Sequence, residues 1–245
     1  MLVLAGLGLG NEKSITLEEL EEAKKADEVY LERYTNIWLG DLENLEKMIG
    51  KKIGLLSRKD LEEESHKIVE RAKEKNILVF VPGDPLVATT HLSLVKECME
   101  KNVGYKIYHN ASIISSIGET GLHLYKFGKT VTLPLEVRGK NFDSVIESIK
   151  NNKKLGLHTL CLLDIDVERN EFLTVREGIR FLLKNKAIAE DEEIVVASCL
   201  GTDDKKIFYG KANFLVERTF SLPAVIIVIG ELHFSEREFL EKFRI

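Results

Sequence analysis

The sequence is poor in the residues on which disulfide-rich and zinc-binding proteins depend. Its 245 residues include three cysteines, Cys98, Cys161 and Cys199, which are far apart and form no C-x-x-C pair. This spacing excludes a disulfide framework and is typical of proteins that stay in a reducing cytosol. We therefore interpret the cysteines as small buried apolar side chains and expect a cytoplasmic protein.

Two further absences narrow the class of partner. No apolar run approaches the length of a membrane span, and glycines interrupt the opening MLVLAGLGLG too early for a signal peptide. The formal net charge of −5 lacks the basic excess of a protein that binds nucleic acid through its phosphates. We expect neither a membrane nor a nucleic acid as partner.

Recognisable catalytic and metal-binding motifs are also missing. The six histidines show no H-E-x-x-H pattern or clustered ligand spacing, so the sequence predicts no metal site. There is no Ser/His/Asp arrangement and no nucleophile elbow, and we identify no catalytic residue. His91 follows Val87 by four positions, a spacing that places two residues on one face of a helix and could turn His91 towards a ligand.

What the sequence does contain is an alternation of short apolar runs with amphipathic segments. Helices between most of the runs favour parallel or mixed sheets covered on both faces. The prediction is therefore an α/β fold with two α/β domains, residues 1–112 and 113–245. Strands are predicted at residues 2–5, 28–31, 77–81, 105–108, 130–133, 157–163, 194–199, 206–209 and 225–229.

Several helix boundaries carry local signals. Capping residues predict helices that begin after Thr16, which opens a T-x-x-E capping box, after Asp41 and after Ser235. Gly50 predicts the end of the second of these helices. Apolar residues at helical spacing, with acids first and bases last, predict one continuous helix over residues 59–75.

Glycines follow the first predicted strand in the run Gly6-Leu7-Gly8-Leu9-Gly10. Glycine lets the backbone approach a ligand closely, and it also serves any turn that needs a positive φ. The spacing is not the dinucleotide fingerprint, because the third glycine of that motif is replaced by Asn11. The turn alone therefore leaves a ligand site and a simple turn both open.

The loop PGDPLV, residues 82–87, follows another buried strand. Open α/β sheets bind ligands at such strand ends, and the prolines stiffen the loop around Asp84. A carboxylate there can accept hydrogen bonds from a ligand, or it can cap the following helix. Both roles remain open for Asp84.

Taken together, these blocks resemble the class III methyltransferases of the tetrapyrrole methylase fold, and within them the diphthine synthase family. The resemblance rests on the glycine turn LAGLGLG, PGDPLVATTH (residues 82–91), HNASIISSIGETGLHLYKFG (109–128), LCLLDID (160–166) and GELHF (230–234). The blocks occur in the family's order and span nearly the whole chain. Residues 201–206, GTDDKK, depart from the family pattern and make the alignment around Tyr209 uncertain.

The resemblance implies a cofactor, S-adenosyl-L-methionine, with S-adenosyl-L-homocysteine as product. In the family the cofactor lies in a cleft between two α/β domains. Carried over position by position, the cofactor-binding residues are Leu9, Asp84, Val87, Ser112, Ile113, Leu163, Tyr209 and His233.

The reaction that the resemblance implies is methylation of translation elongation factor 2. The methylated amine belongs to a 3-amino-3-carboxypropyl group on one histidine, and archaeal members form diphthine, an intermediate of diphthamide. The family also implies a homodimer. Alternatives are a methyltransferase acting on a tetrapyrrole or cobalamin precursor, a nicotinamide-dependent oxidoreductase and a non-catalytic adaptor.

Overall fold

The structure, a computed structural model, describes residues 1–135, 142–167 and 169–245. These residues divide into two compact units, Met1–Ile114 and Ser115–Ile245. The boundary predicted from the sequence, between residues 112 and 113, lies two residues before this division. The division falls within the short helix α5 (Ile113–Ser116).

The N-terminal unit is built on a five-stranded sheet in which all strands are parallel. The strands are β1 (Leu2–Gly6), β2 (Glu28–Glu32), β3 (Gly54–Leu56), β4 (Ile77–Val81) and β5 (Tyr105–Tyr108). Their order across the sheet is β3-β2-β4-β1-β5. Helices α1 (Leu17–Lys25), α2 (Leu42–Ile49), α3 (Ser65–Arg71) and α4 (Leu92–Glu100) connect them.

Both faces of this sheet are buried, as the continuous apolar strands predict. Alternate residues of a strand point to opposite faces. Leu2 and Leu4 therefore share one apolar cluster with α3 and α4, while Val3 and Ala5 share another with α1 and α2. The predicted α/β layering is confirmed.

The local capping signals of this unit are confirmed, but the long helix is not. Thr16 forms the predicted capping box, and Gly50 ends α2 with φ +77°. The helix predicted over residues 59–75 is wrong in its continuity, because a π-helical turn, Lys59–Glu63, precedes α3. Ser57 and Asp60 bond each other reciprocally in the way that starts a helix, and the interruption comes at Glu64, whose N–H donates to Lys59 O five residues back.

The C-terminal unit has a mixed sheet of β6 (Val131–Leu133), β7 (Thr159–Leu163), β10 (Glu193–Ser198), β11 (Lys206–Lys211) and β12 (Ala224–Val228). The order is β11-β10-β12-β7-β6, and β6 pairs parallel with β7 while the other pairs are antiparallel. A small hairpin joins β8 (Ile165–Asp166) to β9 (Glu171–Phe172). The remaining helices are α6 (Asp143–Lys154), α7 (Val175–Lys184), α8 (Ala212–Leu215) and α9 (Phe234–Leu240).

One face of this sheet packs against α6, α7 and α8 to form the core of the unit. Gly178 of α7 lies so close to β12 that a Cβ there would be 2.8 Å from Ile226 Cδ1. The three cysteines are free and buried, as predicted. Burial raises the pKa of Cys161 to about 12, so this thiol stays protonated.

The cap of the last helix lies two residues earlier than the sequence predicts. The sequence favoured Ser235 as the capping residue, but the cap is His233. The reason is the buried carboxylate of Glu236, which accepts a hydrogen bond from the His233 N–H at 2.8 Å and so fixes the first turn. Along the three described stretches of the chain, every helix is too short or too polar to cross a membrane.

Candidate functional site

Three neighbouring strand ends of the N-terminal unit carry the sequence motifs. Because β4, β1 and β5 are adjacent and parallel, the residues that follow them meet at one edge of the sheet. These are the G-D-P loop (residues 82–87) after β4, the glycine turn (residues 6–10) after β1, and His109 with Asn110 after β5. The carboxyl edge of an open parallel sheet is the usual place for a ligand.

The glycine turn and the G-D-P loop are hydrogen-bonded to each other. Gly8 N–H donates to Gly83 O at 3.1 Å, and Gly83 N–H donates to Gly8 O at 2.9 Å. Both glycines have positive φ, +66° and +78°, which other residues adopt at a cost. A Cβ on Gly6 would lie 2.5 Å from Gly83 O. The glycines therefore serve the close approach of two backbone segments to each other.

Asp84 is buried at the centre of this edge, with its side chain 7% exposed. Its Oδ1 accepts the Leu86 N–H at 2.9 Å. Its Oδ2 accepts His109 Nδ1–H at 2.8 Å and the Asn110 N–H at 3.2 Å, with the His109 tautomer assigned from this bonding. One carboxylate thus joins the end of β4 to the end of β5.

This geometry corrects two predictions about the loop. Asp84 does not cap the following helix, because α4 begins only at Leu92 and Asp84 binds the N–H two residues ahead of it. His91 does not share a helix face with Val87, since the segment between them is turns. His91 is 1% exposed, and its Nδ1 lies 3.1 Å from Pro85 O. Its ring lies between Pro85 of its own loop and Tyr34, which follows β2.

Asn110 is a residue of the site that the sequence analysis missed. Its Nδ2 donates to Gly6 O at 2.9 Å, to Ser14 O at 3.1 Å and to Glu19 Oε2 at 3.1 Å. Burial raises the pKa of Glu19, although the hydrogen bonds from Thr16 and Asn110 oppose this effect. Asn110 therefore fixes the glycine turn to the start of α1. The sequence feature that could have identified Asn110 is its position just after the predicted strand at residues 105–108, which pairs with β1.

The other predicted cofactor residues of this unit lie around the same edge. Leu9 and Val87 are partly exposed in the two loops, and Ser112 is buried while Ile113 is partly exposed at the start of α5. Ala88, next to Val87, has a left-handed φ of +56°. Such strain in a non-glycine residue persists only where its surroundings hold it. The edge thus combines exposed apolar side chains with backbone in fixed conformations.

In the C-terminal unit the structure does not bring the predicted residues together. Tyr209 lies on β11 and Leu163 on β7, three strand spacings or about 14 Å apart. Tyr209 is fully buried and its hydroxyl donates to Glu193, and burial raises its pKa to about 12. Leu163 packs towards Gly178 in the core, and His233 caps α9. Tyr209 C=O also accepts the Ile245 N–H at 3.1 Å, so both its side chain and its carbonyl are already bound within this unit.

His233 belongs to a polar cluster around Glu236, which is completely buried. The carboxylate accepts hydrogen bonds from His123 N–H at 2.8 Å, Lys126 Nζ at 2.8 Å and His158 Nε2 at 3.1 Å. Burial alone would raise the pKa of Glu236, but the hydrogen bonds from Lys126, from the His123 and His233 N–H groups and from His158 lower it to about 2. Burial lowers the pKa of His158, which accepts the Gly230 N–H through Nδ1.

Metal-ligand geometry is absent from the residues that the structure describes. No group of three or more histidine, cysteine, aspartate or glutamate side chains among them is arranged to hold a metal ion. The polar groups described at the strand-end site are the Asp84 carboxylate, the Asn110 amide and backbone N–H and C=O groups.

Comparison with known proteins identifies the family. The sequence model described as "Tetrapyrrole (Corrin/Porphyrin) Methylases" matches residues 1–215. The diphthine synthase of Methanococcus vannielii is 41% identical, covering 98% of both chains. That of Methanocaldococcus jannaschii is 43% identical, again over 98% of both chains. A crystal structure titled as a diphthine synthase superposes with a TM-score of 0.90 at 35% identity, covering 99% of this chain and 95% of that one. The chain belongs to the tetrapyrrole methylases and, within them, to the diphthine synthase family of methyltransferases.

Proposed function

We propose that this chain is an S-adenosylmethionine-dependent diphthine synthase. Its acceptor is the amino group of a 3-amino-3-carboxypropyl histidine on translation elongation factor 2, and the reaction is a step of diphthamide biosynthesis. The observation that carries the proposal is the hydrogen-bonded pair of loops at Gly8 and Gly83, with Asp84 buried beside them, in a member of this family.

The strand-end site fits such a cofactor in three respects. Leu9 and Val87 offer partly exposed apolar surface for an adenine or a thioether chain. At Gly10, which is partly exposed, no Cβ stands between the backbone of the glycine turn and a ligand. Asp84 already accepts three hydrogen bonds, and a carboxylate has about four acceptor positions, so it can accept one more. We therefore retain Asp84 as a cofactor-binding residue through one remaining lone pair.

We retain the remaining residues as proposed contacts on the strength of the family resemblance. In the N-terminal unit these are Ser112 and Ile113. In the C-terminal unit they are Leu163, Tyr209 and His233.

The cofactor supplies a methyl group on a positively charged sulfur, which is intrinsically a good donor. Each transfer forms a C–N bond and breaks the methyl C–S bond, whose electron pair stays on sulfur. A transfer to a primary or secondary amine also releases an ammonium proton to water, whereas one that completes a quaternary ammonium releases none. The task of the protein is to align the acceptor nitrogen with the methyl group, and proximity of this kind supplies most of the acceleration. The rigid loops at Gly8, Gly83 and Asp84 are suited to that task, because hydrogen bonds fix each of them.

The alternative of a tetrapyrrole or cobalamin precursor as substrate shares the fold, but no observation favours it over the protein acceptor. The relatives that match along 98% of the chain are named diphthine synthases. A nicotinamide cofactor is disfavoured by Asn11, which replaces the third glycine of the dinucleotide fingerprint. We further propose that the protein is cytoplasmic and that it forms a homodimer. Sedimentation of the purified protein tests the homodimer.

The direct test is label transfer. Purified protein is incubated with methyl-labelled S-adenosylmethionine and elongation factor 2 that carries the unmethylated 3-amino-3-carboxypropyl histidine. We expect label in the modified factor and none in unmodified factor, because an imidazole alone places no amine at the methyl group. Label in a tetrapyrrole precursor, with the modified factor unlabelled, contradicts the proposal.

A further inference from the structure

The same edge of the N-terminal sheet continues beyond the proposed cofactor site. In the order β3-β2-β4-β1-β5, the ends of β2 and β3 lie on the side of β4 that is opposite to β1. Tyr34 follows β2 by two residues, and Arg58 follows β3 by two residues. Both residues therefore lie at the carboxyl edge of the sheet. Tyr34 follows β2, which is next to β4, and Arg58 follows β3, which is one strand further out.

Tyr34 is tied to the G-D-P loop through His91. The Tyr34 hydroxyl lies 3.4 Å from His91 Nε2, and the two rings meet edge to face. Since His91 Nδ1 lies 3.1 Å from Pro85 O, Nδ1 carries the proton and Nε2 accepts from Tyr34. The N–H of Tyr34 is held in turn by the fully buried Glu32 carboxylate at 2.9 Å. Tyr34 is thus a rigid support fixed to the loop.

The guanidinium of Arg58 lies 5.4 Å from the centre of the Tyr34 ring, and its side chain is partly exposed. Among the described residues, two other arginines lie over a tyrosine ring, and each also binds a carboxylate. Arg71 lies over Tyr30 and binds Glu28, and Arg244 lies over Tyr209 and binds Glu193. Within the described part of the chain, Arg58 has no carboxylate within ion-pair distance. Arg58 therefore lies over an aromatic ring, and its N–H donors bind no carboxylate of the described residues.

We propose that Arg58 binds the carboxylate of an amino-acid-like group on the acceptor. This inference rests on the proposed function, in which the acceptor amine sits on a carbon that also carries a carboxylate. A guanidinium can donate two parallel hydrogen bonds to one carboxylate. The contact with the Tyr34 ring keeps the Arg58 guanidinium in one orientation. The bound carboxylate would hold the neighbouring amine beside the G-D-P loop.

The positive charge has a second consequence for the reaction. The acceptor amine attacks only when it is neutral, and a nearby cation disfavours its protonated form. Arg58 therefore both selects an acceptor with a carboxylate and favours the reactive form of its amine. An acceptor without a carboxylate would lose both effects.

The test compares Arg58→Gln and Arg58→Lys with wild type, and uses Lys52→Gln as the matched control. Lys52 carries the same charge on a side chain that is 92% exposed at the opposite end of β3. We expect Arg58→Gln to raise the KM for modified elongation factor 2 about 10- to 100-fold, the scale of a charge-assisted hydrogen bond. Arg58→Lys keeps part of the binding, and Lys52→Gln changes nothing. Affinity for S-adenosylhomocysteine, measured by calorimetry, stays at the wild-type value in all three variants.

A second acceptor separates recognition from a structural effect. When the carboxylate of the acceptor is converted to its methyl ester, the wild-type KM should rise by a similar factor. For Arg58→Gln, acid and ester should have the same KM. If Arg58→Gln still prefers the acid, or loses cofactor affinity instead, the assignment of Arg58 is overturned while the proposed function stands. If wild type transfers no methyl to the modified factor at all, the proposed function itself fails and the assignment fails with it.

Discussion

Asp84→Asn tests the link between the buried carboxylate and the proposed cofactor site. In the wild-type chain the carboxylate accepts hydrogen bonds from Leu86, His109 and Asn110. An asparagine has the same shape but only one acceptor oxygen. If that oxygen faces His109 and Asn110, the amide NH₂ points at the Leu86 N–H. If it faces Leu86, two donors meet the NH₂ group.

The size of the effect follows from these contacts. A hydrogen bond to a charged group contributes about 1.5–3 kcal/mol, and a buried donor left without an acceptor costs about 1–3 kcal/mol. Since either orientation leaves at least one N–H unpaired, we expect the free energy of unfolding to fall by about 2–4 kcal/mol. The matched control is Asp41→Asn at the exposed N-cap of α2. Asparagine caps a helix as well as aspartate does, so its effect should be close to zero.

Urea denaturation followed by circular dichroism measures the stability, and calorimetry with S-adenosylhomocysteine measures the affinity. We expect Asp84→Asn to weaken ligand binding at least about tenfold in addition to lowering stability. Unchanged affinity in a destabilised variant would leave Asp84 with a structural role alone. Stability within about 0.5 kcal/mol of wild type would refute the hydrogen-bond argument itself.

Three further outcomes are expected. Glu236 has a folded-state pKa of about 2 against an ordinary 4.5, so its stabilisation is complete above pH 4.5 and is lost as the pH falls towards 2. Glu236→Gln, compared by thermal denaturation across this range, should therefore lose less stability on acidification than wild type does; parallel losses would contradict the assignment. Gly8→Ala should destabilise more than Gly50→Ala, because both have positive φ but only at Gly8 does a Cβ approach Asn110 Oδ1, at 2.9 Å. Equal melting temperatures would argue against that contact. Methyl transfer should continue undiminished in EDTA, since no ligand cluster occurs in the described residues, and activity restored only by added metal would reveal a missed site.

The parts of the fold that the sequence predicted well are those with local determinants. The capping box at Thr16 and the turn at Gly50 depend on residues within four positions of each other. The buried strand β4 is a continuous apolar run, which identifies it without knowledge of its neighbours. Such features form in the same way wherever the element lies in the fold.

Of the predictions that failed, the cap of the last helix depends on a contact between distant residues. Ser235 and His233 are both plausible caps, and the choice is made by Glu236, whose carboxylate is fixed by Lys126, more than a hundred residues away in the chain. The continuity of the helix over residues 59–75 is interrupted by a local interaction, the hydrogen bond from the Glu64 N–H to Lys59 O in a π-helical turn. The spacing of apolar residues in the sequence contains no information about either hydrogen bond.

In the candidate site, too, the sequence predicted local features but not the contacts between distant residues. The sequence located Asp84 at a strand end, but not its partners His109 and Asn110, which β5 brings to the same edge 25 and 26 residues later. The order of strands across the sheet supplies that information, and the chain alone does not state it. The sequence also does not show that Arg58 has no carboxylate partner among the described residues, because that depends on which side chains the fold places around it.

The most direct test of the account is mass spectrometry of elongation factor 2 after reaction with this protein and unlabelled S-adenosylmethionine. The account predicts methyl groups on the amine of the 3-amino-3-carboxypropyl histidine, located by fragmentation of the peptide that contains it. Factor with an unmodified histidine should gain no mass under the same conditions. A modified factor that gains no methyl group at this amine, or gains it at another residue, would contradict the account.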